Sequence, residues 1–339
     1  MARARVVAAT RKVLVLGANS FSGQDFVDLL LDDPNTAVVG VSRSPERTAT
    51  FLRYRLREDL SRYRYYQLDM NRDMPALLEL LDAERPSHIV NFAAQGEVAC
   101  SWEHPEHWFE TNCVALAKLV GHLRRRNYLQ RYLHISTLEV YGTARADDSE
   151  DLPLNPSTPY AASKAAADLL LQVYFKQFGF PLLTVRATNV YGARQQLYRI
   201  IPRSIIYLRL GKPIELHGGG RAVKSYVHIR DVSRGELAVL EHGRIGQVYH
   251  LSPDHGMQVR EVVRALCTRM GRRFEDVTRE VAERLGQDAA YVIDSRRART
   301  ELGWRPQVLF DQGVEEVVTW VEQNWDEIAQ LPHDYQHRP

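Results

Sequence analysis

The chain has 339 residues, a formal net charge of +2 and three cysteines, Cys100, Cys113 and Cys267. That length permits one large domain or two modest ones, and the balanced charge gives no argument for nucleic acid or a membrane surface. The cysteines lie far apart, with neither a metal spacing nor a disulfide framework, which suits a reducing compartment. The basic start, Met1 to Lys12, has no apolar stretch of signal-peptide length, and no run is long enough to span a bilayer, so a cytoplasmic protein is expected.

Val13-Leu14-Val15-Leu16 is an apolar run ending in Gly17, the pattern of a buried parallel strand. Phe21, Phe26, Val27, Leu29 and Leu30 follow at helical spacing and stop at Asp33-Pro34-Asn35. Further strands are expected over 37–41, 65–68, 88–92, 131–136 and 182–186, with helices over 74–82, 111–126 and 159–178. Residues 53–64 are highly charged and read as an exposed connection. The alternation implies an α/β protein with a doubly wound parallel sheet. Beyond residue 190 the pattern is less regular: Gly218-Gly219-Gly220 marks a loop, and helices are expected over 259–270, 279–285 and 311–323. This part reads as a smaller C-terminal lobe on the carboxyl edge of the sheet, where ligands of open α/β sheets bind.

The segment Gly17-Ala18-Asn19-Ser20-Phe21-Ser22-Gly23 joins the first strand to the first helix. A helix N-terminus there offers free N–H groups to a pyrophosphate, Gly17 permits the tight turn and Gly23 close helix–strand packing. Ser20 replaces the usual middle glycine, so Asn19, Ser20 and Phe21 complete a Rossmann-type cofactor loop with an added hydroxyl. The second strand ends at Ser42-Arg43-Ser44 with no acid for a ribose hydroxyl; Arg43 suits the 2′-phosphate of NADP, with NAD as the alternative. Asp69 is placed for the adenine amino group or, equally, to cap a turn. Residues 1–190, with 224–250 returning to them, are expected to bind the dinucleotide, and residues 191–339 mainly the substrate.

The most informative pair is Tyr160 and Lys164, four residues apart on one helix face and preceded by Ile135-Ser136-Thr137-Leu138-Glu139-Val140-Tyr141-Gly142. An ammonium beside a phenol favours the phenolate, so Tyr160 is expected to take a proton from an alcohol near neutral pH. Thr137 offers a hydroxyl to the same alcohol, and Glu139 a carboxylate for a second proton transfer.

Together these motifs resemble the extended short-chain dehydrogenase/reductase family from Val13 to about Asn324. Within it they are most similar to nucleotide-sugar 4,6-dehydratases. Asn91-Phe92-Ala93-Ala94-Gln95 followed by Ser101-Trp102-Glu103-His104-Pro105-Glu106 resembles GDP-mannose 4,6-dehydratase, and Arg186-Ala187-Thr188-Asn189-Val190-Tyr191-Gly192 the family's substrate-facing strand end. The resemblance implies that Tyr160 deprotonates a sugar C4 hydroxyl, with Lys164 tuning it and Thr137 bonded to the same oxygen. Glu139 then removes the C5 proton, the C6 hydroxyl leaves and the cofactor, tightly bound, is recycled. Ala93 would face the cofactor. Gln95, Glu97, Leu138, Asn189, Arg194, Arg221 and Lys224 would face the nucleotide-sugar, and Asn112 would tie a helix to the active-site loop. A homodimer through 111–126 and 159–178 is also implied.

Leu138 departs from the pattern, because relatives have Asp or Ser there and a leucine cannot protonate a leaving hydroxyl. Elimination without a general acid loses a factor of about a hundred or more. Glu139 can carry its captured proton to the leaving oxygen, or another group, Glu97 among them, can serve. Alternatively nothing leaves, and the protein is an epimerase or a nucleotide-uronate decarboxylase. A non-catalytic dinucleotide sensor is the remote alternative. His104 and His107 have metal-like spacing, but their neighbourhood offers no convincing third ligand; they read as surface histidines and no metal is expected.

Overall fold

The structure, a computed structural model, describes residues 11–143, 148–283 and 290–338. Its first half alternates β1 (Arg11–Leu16), α1 (Phe21–Leu30), β2 (Thr36–Ser42), β3 (Tyr63–Gln67), α2 (Met74–Glu84), β4 (His88–Asn91), α3 (Pro105–Phe109), α4 (Leu116–Leu123), β5 (Arg131–Ile135), α5 (Pro159–Phe178) and β6 (Leu182–Ala187). Then follow β7 (Asn189–Tyr191), α6 (Ile200–Leu210), β8 (Ile214–His217), β9 (Val223–Lys224), β10 (Tyr226–His228), α7 (Ile229–His242) and β11 (Val248–Leu251). The remainder holds β12 (Met257–Gln258), α8 (Val259–Arg269), α9 (Phe274–Val277), β13 (Thr278–Val281), β14 (Ala290–Tyr291), α10 (Arg296–Leu302), α11 (Phe310–Gln323) and α12 (Trp325–Ile328).

Seven strands form one parallel sheet in the order β11-β6-β5-β4-β1-β2-β3. Val13, Leu14, Val15 and Leu16 of the central strand are fully buried, so both of its faces are covered by helices. β1 lies between β2 and β4, so the chain winds outward in both directions from it. A crevice therefore opens beyond the carboxyl ends of β1 and β4. Residues 229–251 return to this unit, α7 packing against α1 and β11 pairing with β6. A separate apolar core joins α6, α8 and α11, through Ile201, Ile205, Val262, Leu266, Val317 and Val321.

Three local expectations change. The helix expected over 111–126 is broken: α3 passes through a π-helical turn, Glu110–Ala115, before α4 begins. The helix expected over 279–285 is not formed by Thr278–Val281, which pairs in parallel with β8, while residues 284 and 285 lie outside the described residues. Strand pairing, a tertiary contact, overrides local helix preference there. The connection 53–64 is not all solvent-exposed, because Tyr54 is fully buried and donates to Glu46.

α1 and α7 meet through acids. Ser233 Oγ donates to Asp25 (2.7 Å), Arg230 lies 3.3 Å from the same carboxylate, and Glu236 is buried beside it. Among the described residues Glu236 Oε2 has no hydrogen-bond partner. Burial, reinforced by Asp25, pushes Glu236 well above the ordinary carboxylate range, so the folded state keeps a proton that the unfolded chain releases. Its contribution to stability is therefore lost as pH rises above the unfolded value of about 4.3. Glu236→Gln, which cannot ionise, is expected to raise the thermal unfolding midpoint by a few degrees at pH 8 and by much less at pH 5; equal shifts at both pH values would contradict a buried protonated acid.

Candidate active site

α5 carries Tyr160 and Lys164 to the carboxyl end of the sheet. Thr158 caps the helix by accepting from Ala161 N, Pro159 occupies its first turn, and Gly179 ends it in the left-handed conformation (φ 64°). Facing α5, Thr137 caps a single 3-10 turn, Leu138–Tyr141, by accepting from Glu139 N at 3.2 Å. The Thr137 hydroxyl and the Glu139 carboxylate thus lie near the Tyr160 phenol, close enough to influence its ionisation.

The electrostatics differ from the expectation of a readily ionised phenol. Burial raises the Tyr160 pKa, the Glu139 and Glu97 carboxylates push the same way, and the Thr137 hydroxyl and Arg199 oppose them. The net displacement is upward, so the Tyr160 phenol is protonated at neutral pH in this state. Lys164 Nζ donates to the Ile135 carbonyl (2.8 Å). Burial brings its pKa down to about 8, against the opposing pull of Asp168.

A buried network beneath the pocket holds α5 in place. Asp168, four residues beyond Lys164, accepts from Arg186 Nη2 (2.7 Å) and Nε (3.2 Å) and from Ser136 Oγ (2.8 Å). Arg186 also donates to the Tyr141 hydroxyl, which meets His250 Nε2 at 2.7 Å. These residues tie β5, β6, β11 and the 3-10 turn to the helix bearing Tyr160. Asn112 adds a second tie, as expected. Its side chain accepts from Gln95 N (2.8 Å) and donates to Gln95 O (3.1 Å) and Ser163 Oγ (2.9 Å), while Ser163 donates to Tyr160 O. Asn112 sits in the π-helical turn, a distortion often found at functional sites.

The loop after β1 fits a dinucleotide. Gly17 has φ 82°, and a Cβ on it would lie 2.8 Å from Ala93 N; a Cβ on Gly23 would lie 2.2 Å from Gly17 O. Only glycines allow this cradle to close against β4. Ser20 caps α1 by accepting from Gly23 N (3.0 Å), and Phe21 is buried in its first turn. Asn19 turns inward: its side chain donates to Ser44 Oγ and Pro45 O and accepts from Arg47 N. It therefore shapes the loop bearing Arg43 rather than presenting its own amide to a ligand. Asp69 Oδ1 accepts from Asn71 N (2.8 Å), the turn-capping alternative.

The expected substrate contacts separate. Glu97 adopts a left-handed backbone (φ 79°), uncommon for a non-glycine residue, and pairs with Arg199 at 3.4 Å beside Tyr160. Arg199, just before α6, is a residue the sequence motifs do not single out; Arg194 lies among Arg53, Asp25, Asp28 and Glu316. Leu138 lies in a buried apolar cluster with Val140, Tyr141, Ala165 and Ile293. Gln95 is buried and donates to Arg338 O of the C-terminal tail (2.9 Å). Asn189 donates to Ser225 O (3.4 Å). Lys224 lies in β9, between β12 and β14. Arg221 is exposed and paired with Glu280 at 3.4 Å.

Residues 14–317 match the family model described as GDP-mannose 4,6 dehydratase. A dTDP-glucose 4,6-dehydratase of Xanthomonas campestris is 33% identical over 273 residues, 75% of this chain and 78% of that protein. The solved dTDP-glucose 4,6-dehydratase of Streptomyces venezuelae, with NAD and TYD bound, superposes with a TM-score of 0.86 at 31% identity, covering 93% of this chain and 98% of that one. The UDP-glucuronic acid 4-epimerase of Bacillus cereus, solved with UDP-glucuronic acid and NAD, gives a TM-score of 0.84 at 26% identity over 92% and 99% of the two chains. The family match spans most of the chain and the parallel sheet agrees with it: the chain belongs to the GDP-mannose 4,6-dehydratase family, within the extended short-chain dehydrogenases/reductases.

Proposed function

We propose that the protein is a nucleotide-sugar 4,6-dehydratase. The observation that carries this reading is the nearness of the Glu139 carboxylate to the Tyr160 phenol beside Thr137, because a plain alcohol oxidation needs no carboxylate for a second proton transfer. A nicotinamide dinucleotide, which the loop from Gly17 to Gly23 would hold, would supply the redox chemistry, as hydride acceptor for C4 and hydride donor for C6. Tyr160 Oη accepts the C4 hydroxyl proton while Thr137 Oγ1 holds the same oxygen. The resulting ketone acidifies the C5 proton, which Glu139 removes. Glu139 passes that proton to the departing C6 hydroxyl, which leaves as water, so no general acid is required of Leu138. Hydride return at C6 leaves an enolate that takes a solvent proton at C5, while Tyr160 releases its proton to solvent. The Glu97–Arg199 pair lies at the same pocket and supplies polar groups for sugar hydroxyls or phosphate.

For Tyr160 to act as a base its pKa must fall, and the Lys164 ammonium is the buried cation on its own helix face. Lys164→Met is expected to move the acidic limb of the kcat/KM profile upward by about one pH unit or more, since the phenol loses a group that favours its ionised form. An unmoved limb would assign Lys164 to cofactor positioning alone. The overall reading is tested by offering purified protein a panel of nucleotide hexoses: a product lighter by one water supports it, and unchanged masses throughout overturn it.

Leu138 keeps a second reading in play, an epimerase or uronate decarboxylase on the same scaffold. Release of carbon dioxide from a nucleotide uronic acid would select the decarboxylase. Arg43 at the end of β2 supports NADP, and the mass of the dinucleotide that co-purifies tests this; recovery of NAD alone overturns it. Residues 1–190 with 224–250 would hold that dinucleotide. Leu169, Val173 and Phe178 on α5 are each more than half exposed, with Val114 and Phe109 also exposed, an apolar face consistent with a homodimer; sedimentation as a monomer would contradict it.

A further inference from the structure

His104 and His107 gain the partners that the sequence withheld. The Glu106 carboxylate lies between them, its Oε1 3.8 Å from His104 Nδ1 and 3.8 Å from His107 Nε2. One ligand atom from each of the three residues lies within 4.8 Å of the others, and all three side chains reach solvent. Two imidazoles and a carboxylate converging this closely form a donor set for zinc or a similar divalent transition ion, which takes such ligands at about 2.0–2.2 Å. Closing the set around an ion needs only small side-chain rotations.

A residue remote in sequence completes the arrangement. His337 Nε2 lies 2.8 Å from His107 Nδ1, the ring nitrogen facing away from Glu106. A metal-bound imidazole characteristically gives its other N–H to an acceptor that fixes its tautomer and orientation. The His337 ring is stacked between its neighbours, with centroids 5.1 Å from His107, 5.5 Å from His104 and 5.2 Å from Trp108. One residue further on, the Arg338 carbonyl accepts from Gln95 Nε2 (2.9 Å) and Arg43 Nη1 (3.3 Å). The tail thus crosses from the loop after β4 to the end of β2, over the crevice that fits the dinucleotide.

We propose that His104, Glu106 and His107 bind one divalent transition-metal ion, and that His337, by holding the His107 ring, couples this ion to docking of the C-terminal tail over the cofactor crevice. The test uses full-length protein without an affinity tag. Zinc binding is measured by calorimetry, and backbone hydrogen exchange of residues 332–338 is followed with and without zinc. Wild type is expected to bind one zinc ion. His104→Ala/His107→Ala should lose that binding, and His337→Ala should weaken it by about tenfold or more. Zinc should slow tail exchange in wild type and not in His337→Ala. Wild-type zinc binding no tighter than that of the double variant overturns the site. Zinc binding that leaves tail exchange unchanged overturns the coupling. Neither measurement depends on catalytic activity, so the outcome is separate from that of the proposed reaction.

Discussion

Tyr160→Phe is expected to reduce turnover roughly a hundred- to ten-thousandfold while leaving dinucleotide content and folding intact. The phenol oxygen is the only heavy atom removed, and the nearby Thr137 hydroxyl stays anchored by Glu139 N. The loss should appear in the first chemical step, so single-turnover absorbance of reduced nicotinamide should fail to rise on mixing with substrate. Full activity in the Phe variant would transfer the role of base elsewhere in the pocket. An enzyme inactive before and after the change, yet retaining dinucleotide, would instead favour the sensor reading.

Asp168→Ala is expected to be the most destabilising single substitution near the site, by about 3–5 kcal/mol, because it leaves the buried Arg186 guanidinium without its carboxylate. Ser136 and His134 face the same carboxylate, so the loss spreads across β5 as well as β6. Denaturant unfolding of Asp168→Ala, Arg186→Met and the double variant separates the causes. If the uncompensated charge dominates, the double variant recovers most of the stability lost in Asp168→Ala. Simple addition of the two single losses would show instead that packing, not charge, is what Asp168 secures. Activity should fall with stability, since Asp168 lies one turn beyond Lys164 on α5.

The sheet was legible because its strands are short apolar runs bounded by turn residues, and the cofactor loop because only glycine tolerates the approach of Gly17 and Gly23 to backbone. Tyr160 and Lys164 were legible because helical spacing alone puts them on one face. Asp168 continues that face by a further turn, a signal present in the sequence but silent without Arg186 opposite it. Arg199 carried no such signal: an arginine before a helix gains meaning only when the Glu97 loop folds against it. The same limit explains why the segment from 279 reads as helix although β8 recruits Thr278–Val281 as a strand. His337 lies more than two hundred residues from His107, so no local pattern could join them.

The most direct measurement is the reaction in heavy water, with the product examined by proton NMR and mass spectrometry. Proton abstraction at C5 by Glu139 followed by loss of the C6 hydroxyl predicts a 4-keto-6-deoxy nucleotide-sugar, lighter by water and labelled with solvent deuterium at C5. A product of unchanged composition, epimerised at C4 and unlabelled at C5, would contradict the account.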